Sequence, residues 1–290
     1  MTPGLAGAYR YCEQLARTHY ENFPVASRLL SARMRPHVAA IYAFARLADD
    51  MADEGDRPAQ ARLADLDDWE RRLDAATGDA PLSADVHGDV FIALRESIRQ
   101  CRLPPSLFHD LLSAFRQDIT KTRYETWEDV LDYCRRSANP VGRLVLRVAG
   151  REDPRLDAAS DAVCTALQLA NFWQDLDIDW RRGRLYVPAS VWRPAGARGE
   201  DLDARRMTPA WRAALTEVTT RTRALFAAGR PVCDGVRGRL RYELRATWLG
   251  GTRILDKLEA ADFDVFARRP ALTKADVPAL LWRTVFWARD

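Results

Sequence analysis

Apolar residues along this chain recur at intervals of three and four rather than two, a spacing that gathers them on one face of an α-helix and gives a β-strand no buried side. Leu63, Leu66 and Leu73 repeat in this way, as do Phe91, Leu94 and Ile98, and then Leu107, Leu111, Phe115 and Ile119. Alternating β-branched runs are almost absent, so an all-α fold is expected. Breakers mark the helix ends: Arg35-Pro36 opens one helix, Leu103-Pro104-Pro105 separates two, and Gly150 with Pro154 separates two more. Further interruptions fall at Pro188 to Gly199 and at Arg269-Pro270. No linker, repeat or composition shift divides the 290 residues. Residues 1–290 are therefore expected to form a single helical bundle, near the size at which one core stops growing.

Composition excludes several classes. With 44 basic and 41 acidic residues the formal net charge is +3, and 47% of the chain is hydrophobic. Disorder requires the opposite balance, and a nucleic-acid-coating protein requires its basic excess gathered in patches. Only Lys121, Lys257 and Lys274 are lysines, leaving 44 − 3 = 41 arginines. The guanidinium fork suits diphosphates, but so general a bias singles out no ligand. Cys12, Cys101, Cys134, Cys164 and Cys233 include no CxxC pair, which predicts reduced thiols and a cytoplasmic protein. His19, His37, His87 and His109 form no HExxH, against a zinc hydrolase. The apolar run Val38 to Ala45 is far shorter than the roughly 18–20 residues of a membrane span. The first residues, Met1-Thr2-Pro3-Gly4, lack the features of a signal peptide, and a soluble or at most peripheral protein is expected.

Two acidic stripes stand out. Tyr42, Arg46, Asp49 and Asp53 fall within about 60° of one another on a helix that begins in the apolar run. Asp49 and Asp53 lie one turn apart and repel unless a cation intervenes, and Arg46 can neutralise one of them. Gln168, Asn171, Asp175 and Asp179 fall within about 80°, continuing an apolar face that includes Val163, Leu167 and Ala170. Either stripe alone also reads as the solvated face of an amphipathic helix. Together they suit hard divalent cations, since Mg²⁺ takes about six oxygens and is satisfied by one or two carboxylates, water and a diphosphate. Two facing acidic helices would clamp a diphosphate between metal ions, and the metals would stabilise the charge that develops as its carbon–oxygen bond breaks. The segment Arg181 to Pro188, after the second stripe, reads either as a ligand-contacting lid or as a plain basic loop.

In this arrangement the chain resembles the squalene/phytoene synthase family over roughly residues 8 to 270. Tyr42-x-x-x-Arg46-x-x-Asp49-Asp50-x-x-Asp53 is similar to the family's first aspartate-rich motif, and Gln168-x-x-Asn171-x-x-x-Asp175-x-x-x-Asp179 to its second. Gly183 to Pro188 is similar to the loop that follows, and Asp118 to Tyr124 with Tyr133-Cys134 to its central segment. The resemblance implies an isoprenoid synthase fold around a central apolar tunnel. It implies several Mg²⁺ ions held by Asp49, Asp53, Asn171, Asp175 and Asp179, with Tyr42 and Arg46 joining the aspartates in catalysis. Asp50, Gln168, Asn171, Tyr186, Arg268, Asn22 and Phe23 would contact substrate, with Arg269 beside Arg268 as the competing phosphate contact.

The departures from the family pattern carry information too. Glu21 to Ser27 replaces a Ser-x-Ser-Phe-like segment, Ala138-Asn139-Pro140-Val141-Gly142 replaces Ala-Gly-Thr-Val-Gly, and Gln174 replaces an arginine. A tyrosine often present near the C-terminus is replaced around Gly250-Gly251. Together these resemble one bacterial subgroup, the hydroxysqualene synthases of hopanoid-type squalene pathways. That subgroup implies presqualene diphosphate as substrate, loss of diphosphate, and capture of the rearranged cation by water. Presqualene diphosphate would come from its own synthase and the product would pass to a separate reductase, so no nicotinamide cofactor is expected. Gln174 is expected to remove a cation beside the metals, and Gly251 to open volume. Phe23, Phe44, Phe172 and Trp173 read either as cation-stabilising tunnel lining or as ordinary core. The C-terminal run Leu280 to Trp287 reads either as a docked helix or as one that skims the inner face of the membrane. Competing readings are head-to-head synthesis of presqualene diphosphate, squalene or phytoene, and a catalytically silent scaffold on the same fold. Head-to-tail elongation or terpene cyclisation fits Tyr42-x-x-x-Arg46 and Gly183 to Pro188 less well.

Overall fold

A computed structural model describes residues 3–18, 29–53, 57–82 and 85–287. Fifteen helices and no strand occur among them: α1 (Pro3–Thr18), α2 (Arg35–Asp53), α3 (Ala59–Thr77), α4 (Gly88–Cys101), α5 (Pro105–Thr120), α6 (Trp127–Ser137), α7 (Asn139–Val148), α8 (Pro154–Gln174), α9 (Leu176–Arg181), α10 (Ala189–Trp192), α11 (Gly199–Asp203), α12 (Pro209–Gly229), α13 (Val232–Gly235), α14 (Arg239–Ala260) and α15 (Val277–Val285). The all-α expectation holds, and α2, α5 and α8 open at the predicted breakers. The interruption at 188–199 contains the short α10, which the sequence left as loop.

Contacts divide the chain into two compact units, Met1–Thr120 with Pro140–Asp157, and Lys121–Asn139 with Ala158–Asp290. In the first, α2 packs against α1, α3, α4 and α5. Its segment from His37 to Phe44 is buried apart from Tyr42, as expected of the run with the densest apolar spacing. Phe44 stacks on Trp69 at 5.9 Å and meets Phe91 and Phe108 edge-on at 6.2 and 5.4 Å. Trp69 Nε1 donates to the Phe44 carbonyl at 3.3 Å, so Phe44 belongs to this core. A buried polar cluster links α1, α2 and α4, with Tyr9 Oη and His37 Nδ1 each in reach of Ser97 Oγ at 3.2 and 3.0 Å. Burial, and then Arg33, hold the His37 imidazole below its ordinary pKa.

In the second unit α12 packs against α10 and α14, and α14 against α13 and α15. Here the structure corrects the expectation at Gly251. A Cβ at that position would lie 2.5 Å from Phe226 Cζ and 2.6 Å from Leu167 Cδ2. The missing side chain therefore creates no space, because α14 has closed onto α12 and α8 through it. Asn139, one of the departures from the family pattern, is buried and accepts a hydrogen bond from Thr165 Oγ1 at 2.9 Å, tying the start of α7 to α8. All five cysteines are free thiols, and burial pushes those of Cys12 and Cys233 up to about 12. No helix of the described residues is long and apolar enough to cross a membrane.

Candidate active site

In the first unit, the stripe on α2 lies along the edge of the buried face. Tyr42, Arg46, Asp49 and Asp50 are half-buried and Asp53 is exposed. Arg46 Nη2 lies 2.6 Å from Asp50 Oδ1, and its Nη1 lies 3.7 Å from Asp49 Oδ2. The cation thus pairs with both Asp50 and Asp49. Partly exposed pairs within one helix contribute about 0.3–0.5 kcal/mol each. Such small terms do not account for three aspartates in five residues.

In the second unit α8 buries Val163, Ala166, Leu169, Ala170, Phe172 and Trp173, and leaves Gln168 and Asn171 half-buried. The single helix expected to carry the second stripe is in fact two. α8 ends at Gln174 and α9 begins at Leu176, with Asp175 between them at φ −100°, ψ 12°. Its spacing survives the bend, since Asp175 N–H donates to the Asn171 carbonyl and Asp179 N–H to the Asp175 carbonyl, each at 2.8 Å. Gln168, Asn171, Asp175 and Asp179 consequently remain in register, and all four are half-buried.

The three aspartates at the bend differ in role. Asp177 is buried and structural: Arg205 Nη1 reaches both its oxygens at 2.7 Å, and Arg181 Nη2 reaches one at 2.7 Å. Asp175 is held by the fork of Arg269, whose Nε donates to one carboxylate oxygen and whose Nη2 donates to the other at 3.1 Å. The Asp179 carbonyl accepts from Arg184 N–H at 2.8 Å around a turn in which Gly183 adopts φ +79°. Beyond this turn the segment is docked: Leu185 N–H donates to the Thr122 carbonyl at 3.0 Å and Ala189 N–H to the Tyr124 carbonyl at 2.9 Å. The buried Tyr186 ring lies flat on Phe172, centroids 3.6 Å apart and planes 3° from parallel. Tyr124 and Tyr133 complete this aromatic cluster. Trp173 Nε1 donates to Thr222 Oγ1 at 2.9 Å, which places Trp173 in the core.

The substitution at Gln174 has an unexpected consequence. Its buried side-chain amide donates to the Pro270 carbonyl, directly after Arg269. A guanidinium therefore does stand beside Asp175, contrary to expectation, and it comes from 94 residues away. Arg268 is exposed and makes no such contact. Asn22 and Phe23 lie outside the described residues. Sequence reasoning missed Gln174 as an anchor and Arg205 as the partner of Asp177, because neither contact leaves a local spacing signal. Among the described residues no group of three or more His, Cys, Asp or Glu side chains is placed to hold a metal ion. Carboxylate pairs at four-residue spacing remain compatible with Mg²⁺, which keeps several waters and takes its other oxygens from a phosphate.

An all-α chain with two motif helices of this kind has the isoprenoid synthase fold. The sequence profile of the squalene/phytoene synthase family matches residues 16–276, and the chain belongs to that family of isoprenoid enzymes. It is 39% identical over 249 residues to a hydroxysqualene synthase from Rhodopseudomonas palustris, covering 85% of this chain and 82% of the relative. A hydroxysqualene synthase from Sinorhizobium fredii is 36% identical over 244 residues, covering 83% and 80%. The crystal structure of squalene synthase HpnC from Alicyclobacillus acidocaldarius superposes with a TM-score of 0.83 at 40% identity, covering 91% of this chain and 97% of that one.

Proposed function

We propose that the protein converts presqualene diphosphate and water into hydroxysqualene and diphosphate, as a carbon–oxygen lyase acting through a carbocation. The likeness to hydroxysqualene synthases over most of the chain carries this reading. Asp49 and Asp53 on α2, and Asn171, Asp175 and Asp179 on the second motif, are the residues that would hold Mg²⁺, which when bound would supply positive charge toward a departing diphosphate. Arg46, paired with Asp50 and Asp49, contributes a guanidinium for phosphate oxygens, and the exposed Arg268 adds a second. Gln168 supports the second carboxylate pair, and Tyr42 lies on the same stripe as the first. Tyr186, clamped on Phe172, presents a rigid aromatic wall to the hydrocarbon.

The product assay is direct. With Mg²⁺ and presqualene diphosphate, mass spectrometry is expected to show hydroxysqualene and no reduced product, since a separate enzyme performs the reduction. Farnesyl diphosphate alone is expected to give nothing. A C30 diphosphate from farnesyl diphosphate would overturn the assignment in favour of head-to-head condensation.

Both ligands of this reaction are greasy, and we place the protein in the cytoplasm in peripheral contact with the membrane through α15. That helix is anchored by Asp276, which accepts from Arg253 and Lys257 at 2.9 and 2.8 Å and from Thr273 N–H at 2.8 Å. Lys257, Thr273 and Arg253 hold the Asp276 carboxyl far below the usual carboxylate range. Beyond the anchor, Leu281, Trp282, Val285 and Phe286 are each about 60% exposed. With Pro278 they span an arc of about 140°. The flanking basic residues Lys274 and Arg283 suit an anionic lipid surface. Co-sedimentation with phosphatidylglycerol vesicles is expected to fall at least about tenfold when Trp282 and Phe286 are both replaced by Ser. Equal sedimentation of the two proteins would remove α15 as the contact.

A further inference from the structure

The segment from Asp264 to Pro270 is tied down on both sides of Arg269. Asp264 Oδ1 accepts from the Phe266 and Ala267 N–H groups, each at 3.2 Å. Arg205, already committed to Asp177, donates to the Phe266 carbonyl at 3.0 Å. The Gln174 amide then fixes the Pro270 carbonyl from a site that is only 6% exposed. A buried amide that has given up its water is not released from such a bond without loss. Little freedom is left to the backbone that carries Arg269, and its fork lies across both oxygens of Asp175.

We infer that Arg269 is a built-in counter-ion for Asp175, set in place by Gln174, which a divalent cation has to displace. This rests on the proposed role of Asp175 as a metal ligand. A guanidinium bonded to both carboxylate oxygens and an inner-sphere dication compete for the same charge. The pair is partly exposed, with 44% of the Arg269 and 25% of the Asp175 side chain accessible, so the competition is weak. Pairs of this kind cost a competing ion up to about fivefold in affinity. A diphosphate that arrives with the ion offers the displaced guanidinium a new acceptor and removes most of that penalty. Metal alone therefore binds weakly at this carboxylate, metal with diphosphate binds well, and Asp175 is never left as a bare negative charge. Gln174 is a positioning residue in this scheme, acting only through Arg269.

The test is Mn²⁺ binding, followed by paramagnetic resonance, without substrate and then with inorganic diphosphate. Arg269→Gln is expected to tighten binding of Mn²⁺ alone by up to about fivefold and to shrink the gain that diphosphate brings. Gln174→Ala is expected to tighten Mn²⁺ binding in the otherwise unaltered chain and to have no further effect on top of Arg269→Gln. A general loosening of the fold would instead weaken binding in both backgrounds, and that result would overturn the role of Gln174. Unchanged Mn²⁺ affinity in Arg269→Gln would overturn the counter-ion itself. If Asp175→Asn also leaves Mn²⁺ affinity unchanged, the metal assignment has failed, whereas an effect of Asp175→Asn with none of Arg269→Gln isolates the failure to the counter-ion role of Arg269.

Discussion

Replacing Asp53 or Asp175 with Asn is expected to lower the rate of diphosphate release by about three orders of magnitude, which corresponds to several kcal/mol of transition-state stabilisation. The amide keeps the size of the carboxylate and loses its charge, so the effect isolates the metal-binding role. Stability is expected to change little in either variant. Asp53 is exposed, and Asp175 gives up only a partly exposed pair with Arg269, a loss of about 1 kcal/mol or less. Coupled diphosphate-release kinetics and a denaturation curve on the same preparations separate the two effects. Normal turnover in both variants would remove the metal-cluster argument. Absence of turnover in the unaltered chain, with every prenyl diphosphate tried, would favour the scaffold reading, although a scaffold has no use for carboxylates kept at four-residue spacing across a helix bend.

The second large effect concerns packing. Gly251→Ala is expected to destabilise the second unit by about 1–3 kcal/mol, the ordinary cost of inserting a methyl group into a filled core. Both Phe226 and Leu167 lie closer to the new atom than real side chains approach one another, and both belong to helices already packed on their other sides. Tyrosine at position 251 is expected to prevent folding. The clash is specific enough to be cycled: Phe226→Leu, which shortens the obstructing ring, should recover part of the loss in Gly251→Ala, with a coupling energy of about 0.5 kcal/mol or more. Urea denaturation of the four proteins checks this. A neutral Gly251→Ala would mean that α14 does not close onto α12 and α8 as described.

How much of this was legible in the sequence depends on how local each feature is. The helix α2 was readable from Arg35-Pro36 and the run Val38 to Ala45, because propensity, breaker and apolar spacing all act within a few turns. The stripes were readable for the same reason, and the family resemblance followed from their order. The bend at Asp175 was not, since Asn171, Asp175 and Asp179 have the same spacing whether or not the helix is continuous, and the retained backbone bonds show how little the bend disturbs it. Phe44 and Trp173 illustrate another gap. Each sits in a motif helix, and only their neighbours Trp69 and Thr222 decide that they are core. Nor does composition distinguish Asp175 from Asp177, two residues apart, of which one meets Arg269 and the other is buried under Arg205.

Periodicity, breakers and motif spacing were thus sufficient for long helices such as α2 and α5, the all-α class and the family, since those properties are written within single helices and repeated along them. Which of Arg268 and Arg269 pairs with Asp175 could not be read that way, because adjacent arginines are equivalent until the backbone around them is fixed. Gln174 fixes it from 96 residues away. The same holds at Gly251, where the absence of a side chain suggests empty space in one dimension and turns out to be the contact through which three helices meet. Both outcomes depend on which distant segments share a volume, and that is settled by the packing of the folded chain.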